Sequence, residues 1–252
     1  MNPGPRRSAT ALGILGAVVA AAALVVLRAL VGLPWLWALV IAAVAGAAAV
    51  GGLRLTAWRL LLRLAGGQAP DGAAEETLAN VLEGLCVNHG IPAPELRVIQ
   101  SDSINALAAA RTPAHAGIVV TSGAVEQLER IELEGLLAHH LCRIRRGDAA
   151  FETLAGILLA WPLGAVGWLR SRVMGRVLPA GRSLKADFEA VSLTRYPPGL
   201  LSALMTISGQ TPEVPSATVA ALHMWIDEPD WGIADAVRHP GLQTRIAALS
   251  EL

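Results

Sequence analysis

The residues whose types and spacing could do chemistry are concentrated between Leu133 and Asp148, which carries His139, His140, Cys142 and Arg143. Two histidines at i and i+4 on a helix share one face and can hold one metal ion. A glutamate directly after the first histidine then serves as general base toward a metal-bound water. The frame here reads His139-His140-Leu141-Cys142-Arg143. The first ligand position is kept, the glutamate position holds His140 and the second ligand position holds Arg143. A guanidinium is charged at any accessible pH and cannot ligate a cation. An alternative is a His139–Cys142 site at i and i+3, either a metal site or a nucleophile pair. As a metal site it would need a third ligand from Asp187, His140 or His239, which no spacing requires. His140 lies about 100° around the helix from His139. Packing roles for His140 and Cys142 are therefore preferred. The chain's two cysteines, Cys86 and Cys142, form neither a disulfide framework nor a Cys-rich zinc site and read as reduced core thiols.

The elements that must position this stretch begin in a membrane. Of the 252 residues, 54% are apolar and only 16% charged, a membrane-protein profile. The net charge of zero implies no nucleic-acid partner. Residues 1–10 form a short N-terminus with Arg6 and Arg7. Residues 11–53 hold two apolar runs, each long enough for the roughly 20 residues a span requires, joined at Gly32-Leu33-Pro34. A cleaved signal peptide is the alternative for the first run, but the second run following at once favours a transmembrane hairpin. Arg6, Arg7, Arg54, Arg59 and Arg63 flank one side and Arg28 alone the other. The positive-inside rule puts the N-terminus and everything after Leu53 in the cytoplasm. Residues 54–72 read as a basic juxtamembrane segment, with 56–64 lying along the membrane surface, and a linker over 66–72.

Residues 73–252 read as one mainly helical domain with a small sheet. Apolar spacing predicts a helix over 75–89, ended by Gly90-Ile91-Pro92. Short strands are expected at 96–99, 105–108 and 117–121, then a helix over 122–129 and the helix carrying His139. A third apolar run, 151–169, is broken at Trp161-Pro162-Leu163-Gly164. A single crossing there would separate His139 from Asp187, so a re-entrant or helix-break-helix hairpin, or an interfacial helix, is expected. Arg170, Arg172 and Arg176 would anchor its exit. Helices follow over 184–193, 199–207 and 240–252, with 217–231 unassigned.

Several fragments in order resemble the HtpX-type membrane zinc metalloproteases, relatives of the CAAX prenyl proteases: Asn105-Ala106-Leu107-Ala108, Val119-Val120-Thr121-Ser122-Gly123, Leu133 to His139, Gly147-Asp148, Ala186-Asp187, and Arg238-His239-Pro240 with Arg245-Ile246 and Leu249. The resemblance implies an α+β membrane protein, with an N-terminal transmembrane helical hairpin and a mainly helical metallopeptidase-like (gluzincin) domain. It implies His139 as first zinc ligand, Asp187 as the carboxylate that orients it, and a third ligand four residues before Asp187. That position is Ser183, a poor zinc ligand. With His140, Arg143 and Ser183 at the degenerate positions, no catalytic residue is expected and no cofactor, His139 being a remnant. Arg143 is expected to pair with Asp187, and Asn105, Val119 and His239 to line the cleft.

The expected function is that of an inactive peptidase-fold protein of a bacterial-type inner or plasma membrane, binding or regulating membrane or misfolded proteins. The lipid bilayer and an unidentified protein or peptide are its partners. The alternative is an active zinc-dependent membrane endopeptidase in protein quality control.

Overall fold

The structure is a computed structural model, and it describes residues 4–32, 34–179, 181–210, 220–227 and 241–252. Helices α1 (Gly4–Leu30) and α2 (Trp35–Ala65) pack against each other. They touch where side chains are smallest: a Cβ on Gly46 would lie 2.6 Å from the Gly16 carbonyl oxygen and 3.1 Å from the Ala20 methyl. Close backbone approach through small residues is how apolar helices associate when dispersion is the main attraction. Arg28 stacks 4.3 Å over the Trp35 ring at the turn. Leu36, Leu39, Val40 and Val44 point outward from α2. Among the described residues, α2 is the one helix long and apolar enough to cross a membrane, and the apolar part of α1, Gly16–Leu30, is shorter.

The expectation that the apolar face of 56–64 lies on the membrane surface is corrected here. These residues continue α2 without a break. Ala57, Trp58, Leu61, Leu62 and Ala65 recur at helical spacing and are buried, while Arg54, Arg59 and Arg63 face outward. The apolar face is spent on the sheet, so α2 ties the hairpin to the domain directly.

That sheet has β1 (Glu95–Ile99), β2 (Ala106–Thr112) and β3 (His115–Thr121) in the order β1-β3-β2, with β1 parallel and β2 antiparallel to β3. Strand alternation sends Leu107, Ala109 and Val119 toward α2, and Ala106, Ala108, Ile118 and Val120 toward the helical domain. Val119, expected in a cleft, is instead core beneath α2, because β3 is the central strand and α2 covers that face.

On the other face lie α3 (Ala73–His89), α4 (Ser122–Gln127) and α5 (Arg130–Arg146), the helix of His139. The α5 start is secured by Glu132, whose carboxylate accepts the Glu129 N–H at 2.9 Å, and it ends at Gly147 in the left-handed conformation. After it, α6 (Asp148–Ala155) passes into a π-helical turn, Gly156–Ala160, and then a break before α7 (Gly167–Val177). The third apolar run is thus helix-break-helix, with Trp161 and Trp168 exposed around the break. Arg170, expected as an exit anchor, is buried instead. Finally α8 (Arg182–Thr194), α9 (Pro197–Ser208) and α10 (Leu242–Leu249) close the domain around α5.

The α5–α9 crossing is as tight as the α1–α2 one: a Cβ on Gly135 would lie 2.6 Å from the Leu200 backbone nitrogen. Backbone cannot yield as a side-chain tip can. We expect Gly135→Ala to lower the stability of the domain by about 1–3 kcal/mol, an over-packing cost, measurable as a lower midpoint in chemical denaturation. An unchanged midpoint would show that the two helices can part freely.

Candidate functional site

The site is assembled on α5, whose inward face is buried from Leu136 to Ile144. His139 points across to α8, where its Nδ1 lies 2.7 Å from Asp187 Oδ1. The same carboxylate receives Arg245 of α10 in a two-pronged grip, Nε to Oδ2 and Nη2 to Oδ1, both at 2.7 Å. Asp187 is therefore held well below the usual carboxylate range: burial opposes ionisation, but the Arg245 and His139 contacts outweigh it. Burial dominates at His139 and lowers its pKa to about 4 despite Asp187. The imidazole is thus neutral at pH 7, and its Nδ1–H donates to the carboxylate. The two side chains that the resemblance paired are thus in direct hydrogen-bond contact.

The expected Arg143–Asp187 pair is not what forms. Arg143 Nη2 binds Glu152 of α6, and Nη1 donates to the Met224 carbonyl at 2.9 Å. The other oxygen of Glu152 takes Arg182 of α8, whose Nη2 donates to the His223 carbonyl at 3.3 Å. All three charged side chains are buried. Asp187 is already saturated by His139 and Arg245, and Glu152 is the carboxylate that α6 brings to Arg143. Glu152 was not singled out from the sequence, and Arg245, quoted there only in the family resemblance, was given no partner, yet both left a trace. Glu152 is the one carboxylate in the apolar run 151–169, and Arg245 sits between Leu242 and Leu249 on the face of α10 that should be core.

His140 is buried beside His139, their rings edge-to-face with centroids 5.1 Å apart. Among the described residues nothing bonds either of its ring nitrogens. Burial, then the neighbouring His139, pushes its pKa well below 6.5. Cys142 lies in the core, and burial raises its thiol to about 11. This is the reverse of an activated nucleophile. Ser183 is buried on α8 one turn before Asp187. Asn105 stands at the start of β2 and is also buried. His239 lies outside the described residues. Among the described residues, no three His, Cys, Asp or Glu side chains converge so as to hold a metal ion.

Two measurements check this electrostatic picture. Both histidines are neutral when folded, with pKa values below the usual 6.5, so the unfolded chain binds more protons and acid favours it. Stability should be fully present above about pH 6.5 and fall as pH drops toward 4, by roughly 3 kcal/mol from His139 alone. Urea unfolding at stepped pH reads this. His140→Leu should flatten the slope and stabilise by about 1 kcal/mol at pH 7, since it removes unpaired buried nitrogens. Separately, Glu152→Gln strips the charge that compensates Arg143 and Arg182. It should cost about 3–5 kcal/mol, seen as a large drop in Tm, and an unshifted Tm would mean that the ion cluster is not what holds α6 to α5.

Comparison with known proteins agrees with this architecture. The model of peptidase family M48 matches residues 73–252. The chain is 29% identical to the "Protease HtpX homolog" of Dictyoglomus thermophilum, covering 75% of this chain and 74% of that protein. It is 30% identical to "Protease HtpX homolog 2" of Methanosarcina acetivorans over 63% of this chain and 64% of that one. No solved structure matches it. A helix bearing His139 against the Asp187 helix, the β2 edge beside them and a domain-wide family match lead to one conclusion: this chain belongs to peptidase family M48 and is of HtpX type.

Proposed function

We propose that this protein is a non-catalytic member of its family, a membrane-anchored peptidase fold that binds extended segments of membrane or misfolded proteins without cleaving them. The observation that carries the reading is Arg143. It occupies the position of the second zinc ligand, and its guanidinium is fastened in the interior by Glu152 and the Met224 carbonyl. A fixed cation repels a divalent ion and offers it no lone pair. With Ser183 and His140 as neighbours, His139 is left as one ligand of the three expected, and the donor set does not fit zinc. The roughly 10 kcal/mol of a structured zinc site has no source here. His139 and Asp187 then serve the fold, as a buried hydrogen-bonded pair between α5 and α8.

In this reading the α1–α2 hairpin sits in the bilayer, with Arg54, Arg59 and Arg63 on its cytoplasmic side, and the exposed Trp161 and Trp168 face the membrane interface. An extended segment could add to the β2 edge by main-chain hydrogen bonds, a mode that needs no metal.

The relatives carry the name protease, and this favours the second reading, an active enzyme, which at this site would be a zinc-dependent endopeptidase. Metal content separates the two. The protein purified in mild detergent with zinc in the buffer should carry well under one zinc per chain and leave casein intact, with or without chelator. Stoichiometric zinc together with chelator-sensitive casein cleavage would overturn the non-catalytic reading.

A further inference from the structure

The β2 edge is already occupied. Residues Leu222–Asp227 enter through a short 3-10 turn, Leu222–Met224, and then run antiparallel beside the start of β2. Trp225 pairs with Leu107, and the Ile226 N–H donates to the Ala106 carbonyl at 2.9 Å. Asn105 clamps the far end: its Nδ2 donates to the Asp227 carbonyl at 2.6 Å, and its Oδ1 accepts the Asp227 N–H at 3.3 Å.

Three further carbonyls are held by the site itself. His223 O accepts Arg182, Met224 O accepts Arg143 and Ile226 O accepts Arg245 at 3.1 Å. Four carbonyls of one short segment are therefore held by side chains from β2's approach, α5, α8 and α10. The Trp225 side chain is buried under the sheet with Leu107 and Val119. Room is made at Gly156 in the π-helical turn, where any Cβ would run into the Ala220 carbonyl oxygen and meet the His223 ring at 3.1 Å. Main-chain pairing on an open edge, with one large side chain in a pocket, is how a protein holds an extended peptide.

We infer that Leu222–Asp227 is a built-in ligand of the peptide-binding edge, latched by Asn105, Arg143, Arg182 and Arg245, and that an extended polypeptide binds there only by displacing it. This rests on the proposed metal-free peptide-binding reading. It gives Arg143 a role of its own, in which the cation standing at the lost ligand position grips a carbonyl of the chain itself.

The test uses the full chain in mild detergent, with fluorescein-labelled β-casein as the probe. Ile226→Pro removes the ladder N–H from the segment while leaving β2 untouched, and Asn105→Ala removes the clamp. Both should raise amide exchange over 223–227, and both should tighten casein binding at least tenfold by fluorescence anisotropy. Freed segments with casein affinity within twofold of the parent would overturn the inference. If either variant fails to fold, the parent decides: saturating casein must deprotect 223–227, and unchanged protection, or no casein binding at all, refutes displacement. Zinc content and casein cleavage measured on the same samples judge the non-catalytic reading separately, since neither depends on whether the segment moves.

Discussion

The constraint on which the rest of the structure depends is charge compensation in a dry interior. Arg143, Arg182 and Arg245 are buried together with two carboxylates, Glu152 and Asp187. Burying an unpaired ion costs several kcal/mol, so each carboxylate must reach its cations with good geometry, and those pairings fix four helices. Asp187 binds α8 to α5 through His139 and to α10 through Arg245. Glu152 binds α6 to α5 through Arg143 and to α8 through Arg182. Within this cluster the guanidiniums outnumber the carboxylates, so backbone carbonyls of His223, Met224 and Ile226 are drawn in to accept further N–H donors. His139 and His140 stay neutral chiefly because they are buried, and the nearby guanidiniums add to that effect.

The hairpin and the domain are joined by the same economy of surfaces. One helix, α2, has two environments: outward apolar side chains along its first half, then a face buried on the sheet with arginines opposite. A continuous helix transmits its orientation to what it packs on, so the sheet, and the β2 edge with it, is set relative to the hairpin rather than hung from a linker. The glycine contacts at Gly16–Gly46 and Gly135–Leu200 serve the same end, since only a missing side chain lets the backbones approach so closely.

In the non-catalytic reading proposed above, the altered ligand set and the occupied edge belong to one arrangement. In a metal site the second histidine leaves the neighbouring space to a bound ion and its water. Arg143 is longer and carries donors that need acceptors. The nearest acceptors are Glu152 and a carbonyl on the chain's own segment. The chemistry of a single side chain therefore links the site to the strand beside it.

By itself the sequence determined the helices, the three short strands, the two apolar runs and the family likeness, because each is written in local periodicity, turn residues and short motifs. It also determined that Arg143 cannot ligate a metal, which follows from the guanidinium alone. Which carboxylate Arg143 meets was decided only in three dimensions. Glu152 lies nine residues further along the chain, across a helix break, and the pairing with Asp187 expected from α5 and α8 ignored the claim that Arg245 makes from α10. The surface assigned to 56–64 was a local reading too, since basic and apolar residues alternate in the same way whether the apolar face meets lipid or a sheet. Residues 222–227 carried no periodic signal because their bonds are almost all to distant residues. Only the tertiary structure can give such a segment a conformation, and it places the segment along the edge of β2.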